Sequence, residues 1–182
     1  MAKLKIITVP SPILKMKAKK IGSFDKSLKK LISEMVKFLR EVNGIGLSAP
    51  QIGKPIRLIV IEPRGGPSKN KPEEEKPVIP LLILINPEII KYSKELEEDE
   101  EGCLSLPNIW GIVPRYKKIT VKGLNEKNKL LKIKASGLLS RVLQHEIDHL
   151  EGILFPQRVE DLSTLHKIDQ EGQIIPIDLL KL

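Results

Sequence analysis

The sequence contains little cysteine, few aromatic residues and no long hydrophobic run, and each of these features excludes a class of protein. One cysteine in 182 residues excludes an internal disulfide and, with no secretory signal at the start, predicts a reducing cytoplasm. Aromatic residues make up 3% of the chain, which argues against a nucleic-acid surface built on base stacking. The longest apolar run, residues 78–85, contains Pro80, whereas a membrane helix needs about 20 residues. We therefore expect no membrane span and no membrane partner.

Positive charge is concentrated near the N-terminus. The formal net charge is +8, and residues 1–40 carry eleven lysines and arginines against two acids, a local excess of +9. Residues 157–182 have five acids and three bases. A basic segment of this kind is either a solvated surface or a contact for nucleic acid, and the scarcity of aromatic residues favours the solvated surface.

Hydrophobic spacing predicts two helices. Apolar residues recur at helical intervals over residues 28–39, after the candidate N-caps Ser23 and Asp25. They recur again over residues 138–150, where Gly152 is suited to a left-handed C-terminal cap. The first helix is amphipathic and ends before Gly44, and the second carries the main chemical motif.

Four segments predict strands. Residues 56–61 and 81–85 are short apolar runs typical of buried strands, whereas residues 118–124 and 129–135 alternate around a turn and predict an antiparallel hairpin. The order of helix, strands, hairpin and helix indicates an α+β fold whose sheet is at least partly antiparallel. We expect residues 1–182 to form a single domain.

Three other segments have a distinctive composition. Residues 64–77 are rich in proline and glycine and predict a flexible loop, which is either a lid or a passive insertion. Residues 95–101 contain six acids and predict an exposed surface, with Glu101 set apart because it adjoins the cysteine. Residues 173–182 are apolar enough to form an extra strand or to join the partner subunit of a homodimer.

The sequence HEIDH at residues 145–149 is the strongest chemical signal. On a helix, His145 and His149 are one turn apart on the same face and can bind one metal ion. Glu146, between them, is placed to take a proton from a water molecule. An ordinary hydrogen-bonded histidine pair is the alternative, and His166, which lacks such neighbours, is interpreted as structural.

A catalytic site of this type needs a third protein ligand. Proteases with the same helical pattern take it from a downstream residue, where this chain offers His166 in no familiar spacing and several carboxylates. Cys103 is the other candidate, because Gly102 permits a tight turn that aims the thiolate at the helix. Taken alone, Cys103 also fits an inert buried cysteine.

Three motifs together resemble the peptide deformylase family: GIGLSAPQ at residues 44–51, EGCLS at 101–105 and HEIDH at 145–149. The resemblance covers essentially the whole chain and implies an α+β fold with mostly antiparallel strands packed around a central metal-binding helix. It implies hydrolysis of the N-formyl group of newly made proteins, with N-formylmethionyl nascent peptides as substrates. It also implies that Cys103 and the two histidines bind a divalent metal whose fourth ligand is water.

The resemblance assigns further roles around that metal. Glu146 would act as general base and acid, and the Gln51 side chain and the Leu104 N–H would stabilise the oxyanion. Ile45 and Gly46 would hydrogen-bond the main chain of the substrate as an added strand would.

The pocket for the methionine side chain is less defined. Leu138 and Val142 are candidates for its wall, although both also fit an ordinary core. The chain departs from the family pattern at Ser48, which we expect to be tolerated, and at Arg141, where an apolar residue is expected if that position lines the pocket.

The family usually uses Fe(II), and Zn(II), Ni(II) or Co(II) also fit a thiolate and imidazole ligand set. The resemblance further implies a cytoplasmic, bacterial-type enzyme with transient contact to the ribosome. Because residues 157–182 are acidic on balance, ribosome contact would use another surface.

Two other functions are consistent with parts of the sequence. A metallopeptidase would need a downstream third ligand and would act on peptides without a formyl group. A basic RNA-binding or ribosome-binding module would have a closed site with four protein ligands, and its binding would weaken steeply with salt.

Overall fold

The computed structural model describes residues 4–63, 79–169 and 171–177. Within them the helices are α1 (Lys26–Glu41) and α2 (Gly137–Glu151). The strands, in chain order, are β1 (Gly46–Ser48), β2 (Leu58–Ile61), β3 (Leu82–Tyr92), β4 (Leu96–Cys103), β5 (Leu106–Tyr116), β6 (Lys118–Leu124), β7 (Leu130–Ser136), β8 (His166–Ile168) and β9 (Ile174–Pro176). The predicted loop at residues 64–77 lies outside the described residues.

The strands form two sheets, and every pairing between these named strands is antiparallel. The first sheet has the order β1-β2-β3-β6-β7 and the second the order β4-β5-β8-β9. Helix α2 contacts strands of both sheets, including β1, β2 and β5. This confirms the predicted α+β fold with antiparallel strands around a central helix. No helix in the described ranges is long and apolar enough to cross a membrane.

Strand β2 lies between the two helices, which explains its unbroken apolar sequence. All four of its residues are fully buried. Leu58 and Val60 pack in a cluster with α1 on one face of the sheet, whereas Ile59 and Ile61 pack with α2 on the other. Because both faces are covered, the strand has no polar residue to alternate with the apolar ones.

The predicted helix ends are confirmed by their caps. The Asp25 side chain accepts a hydrogen bond of 2.9 Å from the Leu28 N–H at the start of α1. Gly152 ends α2 in the left-handed conformation, with φ of 75°. The predicted strand at residues 56–61 begins at Leu58 instead, because the Arg57 N–H donates to the carbonyl of Lys19 outside the sheet.

Two long strands near the site, β4 and β5, were not predicted. The side chains of β4 are exposed from Leu96 to Glu100, so no burial pattern marks the acidic run as a strand. Glu101, in contrast, is buried. In the tail, Ile174–Pro176 forms an extra edge strand, one of the two outcomes expected for residues 173–182.

Candidate active site and metal centre

Helix α2 and the end of β4 bring three potential ligands together. His145 and His149 lie one turn apart, with ring centroids separated by 5.0 Å. Cys103 ends β4, and its Sγ lies 3.2 Å from Nε2 of His149. The ligand atoms of all three residues lie within 4.8 Å of one another, the one such group among the described residues. Among the residues that the structure describes, Cys103 and no downstream carboxylate joins the histidine pair.

Glu101 orients the first histidine. Its Oε2 lies 2.9 Å from Nδ1 of His145, and with that nitrogen engaged by a carboxylate the opposite ring nitrogen remains for a metal. Burial raises the pKa of Glu101, but hydrogen bonds from His145 and Arg115 outweigh it and hold that pKa well below its ordinary value. The carboxylate therefore remains charged, as a partner for the imidazole requires.

The Cys103 sulfur lies in a setting that favours the thiolate. It accepts hydrogen bonds from the Ser105 N–H at 3.4 Å and from Nε2 of Gln51 at 3.5 Å. Burial raises the pKa of Cys103, but the charge of His149 and hydrogen bonds from both histidines hold it well below its ordinary value. Because the thiolate is the form that binds metals, this environment suits a ligand.

Ser48 holds the amide of Gln51. Oε1 of Gln51 accepts from the Ser48 N–H at 2.8 Å and from the Ser48 hydroxyl at 3.0 Å. With its oxygen engaged there, the amide directs its N–H groups toward Cys103, beside the turn that contains Leu104. The serine that departs from the family pattern thus adds a hydrogen bond that holds a candidate oxyanion donor.

Glu146 is buried beside the three ligands. It is 3% exposed, and its Oε2 has no hydrogen-bond partner in the described part of the chain. Burial raises the pKa of Glu146 by more than His145 and His149 lower it. A carboxylate with a raised pKa and an oxygen without a hydrogen-bond partner among the described residues is suited to accept a proton.

The backbone of Gly46 packs directly on the Glu146 carboxylate. A Cβ at Gly46 would lie 2.9 Å from Cδ of Glu146 and closer still to its Oε1. Gly46 also lies on β1, the edge strand of its sheet, which leaves one side open for another strand. A side chain at position 46 would therefore collide with this carboxylate.

If Glu146 takes part in the reaction, substituting alanine at Gly46 is expected to lower kcat/KM by about 10²-fold, because the added methyl group must displace the Glu146 carboxylate. Bound metal should remain unchanged, since the ligands are not touched. Gly22→Ala is the control, because a Cβ there meets no atom within 4 Å. Unchanged kinetics in Gly46→Ala would contradict the proposed position of Glu146.

The candidates for substrate contact occupy different surroundings. Val142 is buried, and Leu138 packs beside it in the cluster between α2 and the five-stranded sheet. Ile45 is 47% exposed, and its carbonyl accepts a hydrogen bond from the Glu62 N–H at 3.0 Å. Arg141 is buried and hydrogen-bonds Glu101 at 2.8 Å. Core packing accounts for Val142, so its role in a methionine pocket stays a prediction.

The sequence interpretation missed two charged residues behind the ligands. Arg115 donates to Glu101 at 2.9 Å and to Asp148 at 2.5 Å, and both carboxylates are buried. Asp148 lies within HEIDH, so the sequence alone could have indicated that it belongs to the site. Arg115 has no such neighbour in sequence, and it meets its partners only because β5 pairs with β4.

The family model described as Polypeptide deformylase matches residues 3–165. The chain belongs to this family. The peptide deformylase of Natranaerobius thermophilus is 46% identical over 162 residues, which cover 89% of this chain and 96% of that protein. The peptide deformylase of Chloroflexus aurantiacus is 42% identical over 173 residues, which cover 91% and 90%.

The fold is similar to solved peptide deformylases as well. A crystal structure of the Acinetobacter baumannii enzyme with Met-Ala-Ser bound has a TM-score of 0.79 at 32% identity, covering 87% of this chain and 99% of that one. The resemblance drawn from the three motifs is thereby confirmed. The chain is a hydrolase of the peptide deformylase type, which removes the formyl group from newly made peptides.

Proposed function

We propose that Cys103, His145 and His149 hold one divalent metal ion and that Glu146 transfers the proton during deformylation. The observation that carries this proposal is the convergence of one thiol, two imidazoles and a buried carboxylate. Sulfur and nitrogen donors of this kind suit first-row divalent metals. Three ligands rather than four converge in the described residues, as expected for a catalytic rather than a structural site.

The bound metal would act as a Lewis acid, activating water and polarising the formyl oxygen. We propose Fe(II) as the native metal, because the chain shares the motifs of a family that usually uses it; Zn(II), Ni(II) and Co(II) also suit this ligand set. Metal analysis of protein purified anaerobically tests this proposal. Zinc in place of iron in such a preparation would contradict it.

Glu146 acts as the general base in the first half of the reaction and as the general acid in the second. It takes a proton from water as the water oxygen bonds to the formyl carbon, and it delivers a proton to the amine nitrogen as the C–N bond breaks. Formate and a free N-terminus result. The formyl oxygen gains negative charge in between, and the Gln51 side-chain amide and the Leu104 N–H donate to it.

The peptide would bind as an additional strand along β1. The open edge of β1 supports this arrangement, with main-chain groups of Ile45 and Gly46 as hydrogen-bonding partners. Leu138 and Val142, on the helix that carries the histidines, would contribute to the slot for the methionine side chain. The related enzyme from Acinetobacter baumannii was crystallised with Met-Ala-Ser, a peptide that begins with methionine.

Formate release distinguishes this function from that of a metallopeptidase. We expect rapid formate production from formyl-Met-Ala-Ser and no cleavage of acetyl-Met-Ala-Ser or of unformylated peptides. The upstream position of Cys103 supports the expectation, because peptidases with this helical pattern take their third ligand downstream. Cleavage of internal bonds in unformylated peptides would favour the peptidase.

We propose that transient ribosome contact uses the solvent-facing side of α1. Four exposed lysines recur there at intervals that place them on one face of the helix: Lys26, Lys29, Lys30 and Lys37. Arg40 continues the row, but its guanidinium pairs with Glu62 at 2.6 Å. Phosphate backbones are the natural partner of such a row. The acidic balance of residues 157–182 supports a contact away from the C-terminus.

Charge reversal on α1 is expected to weaken binding to ribosomes at least about tenfold and to lower the salt slope by about one for each lysine that contacts a phosphate. The variant combines Lys26→Glu, Lys29→Glu and Lys37→Glu. The matched control makes the same change at exposed lysines of β6 and β7: Lys118→Glu, Lys132→Glu and Lys134→Glu. Cosedimentation over a salt series measures both. Equal losses in the two variants would mean that only net charge matters.

We also propose a cytoplasmic location, a single domain and a homodimer. Cys103 must stay reduced to bind a metal, which supports a reducing compartment, and cell fractionation tests it. One cooperative unfolding transition would agree with a single domain over residues 1–182, and two would contradict it.

Ile174, 69% exposed, and Ile175, 44% exposed, lie on edge strand β9 and support pairing of two copies. Light scattering that gives only the monomer mass would refute the dimer.

A further inference from the structure

Arg141 is a buried cation on α2, one turn before His145. It is 8% exposed, and its Nη1 donates to Oε1 of Glu101 at 2.8 Å and to the carbonyl of Val113 at 2.9 Å. Its Nη2 donates to the carbonyl of Glu97 at 2.6 Å. The guanidinium thus joins α2 to both strands of the β4–β5 hairpin and contacts the carboxylate that orients His145.

Two guanidinium groups contact the Glu101 carboxylate. Arg115 donates to both oxygens of Glu101, at 2.9 and 3.0 Å, and also to Asp148, which has a second cation in Arg158 at 2.8 Å. The second cation of Glu101 is Arg141, which lies at 2.8 Å from its Oε1. Removing one partner of a buried ion pair leaves an uncompensated charge that must move or take up a proton.

We propose that Arg141 is a positioning residue for His145: with Arg115 it clamps Glu101 so that Oε2 stays under Nδ1 and the opposite ring nitrogen faces Cys103 and His149. The inference rests on the proposed metal site. Contacts of this outer kind contribute roughly 10–100-fold to metal affinity, because they fix the tautomer and direction of the ligand ring. A residue that only fastened the helix to the hairpin would affect stability and leave metal affinity unchanged.

The test compares Arg141→Met with Arg57→Met in the full chain. Arg57 is a matched control, since it is 7% exposed and its guanidinium bonds Glu151 at 2.6 Å and the Pro87 carbonyl at 2.8 Å, with no contact to a ligand. The dissociation constant for Zn(II) is measured by competition with a chromophoric chelator at one pH, and urea unfolding of the metal-free proteins measures stability. We expect both variants to lose stability.

Zn(II) affinity is expected to fall about 10–100-fold in Arg141→Met and to stay within about twofold of wild type in Arg57→Met. A wild-type affinity in Arg141→Met would overturn the proposal and leave Arg141 as a structural link. If Arg141→Met fails to fold, the Zn(II) affinity of Arg141→Lys is measured instead, because lysine keeps the positive charge but lacks the planar set of donors of the guanidinium group. An unchanged Zn(II) affinity in Arg141→Lys would overturn the proposal too. Stoichiometric Fe(II) binding by wild type without formate release would contradict the proposed function separately.

Discussion

Replacing Glu146 with alanine is expected to lower kcat for formyl-Met-Ala-Ser by about 10²–10⁴-fold, the usual contribution of a positioned general base and acid. The side chain is buried beside the ligands, and its Oε2 has no competing partner in the described part of the chain. Metal binding should survive, because the ligand atoms belong to other residues. Formate release, normalised to bound metal, gives the comparison.

Glu151→Ala is the matched control for that loss. Glu151 lies on the same helix, but it pairs with Lys17 at 2.8 Å and Arg57 at 2.6 Å, away from the ligands. We expect Glu151→Ala to reduce stability and to keep kcat near the wild-type value. Comparable activity in wild type and metal-loaded Glu146→Ala would remove Glu146 from the reaction.

Replacing Cys103 with serine is expected to weaken metal binding by at least about 100-fold, because even contacts outside the ligand set contribute 10–100-fold. A serine hydroxyl stays protonated near neutral pH and is a poor ligand for a site built for a thiolate. Formate release should fall with the metal content. Chelator competition and metal analysis of the dialysed protein measure the effect.

Ser105→Ala controls for disturbance of the turn after Cys103. The Ser105 hydroxyl is buried and has no hydrogen-bond partner within the described residues, so its removal should leave metal affinity close to wild type. A Cys103→Ser protein that keeps one tightly bound, active metal ion would exclude Cys103 from the ligand set. A residue downstream of His149 would then be the candidate for the third ligand.

The helical features of the site could be predicted because they depend on local spacing. The spacing in HEIDH places His145 and His149 on one face of any helix. Gly152 ends that helix in the left-handed conformation, which glycine adopts more readily than other residues. Asp25 likewise caps α1 through its own side chain. Each of these predictions needed only residues within a few positions of one another.

The parts that could not be predicted depend on pairing between distant segments. Strand β4 has an exposed run of acids, so no apolar alternation marks it, and β5 takes its register from β4. The link from Arg115 to Glu101 therefore has no local sequence signal. Arg141 is a departure from the family pattern with no local explanation, because its partners Glu101 and Val113 lie on the hairpin of β4 and β5.

The most direct test of the central claim is to titrate metal-free protein with Fe(II) under anaerobic conditions and follow formate release from formyl-Met-Ala-Ser. If Cys103, His145 and His149 form the catalytic metal site, activity should rise linearly and level off at one equivalent of metal. Full activity without metal, or none in protein that has bound one equivalent, would contradict the account.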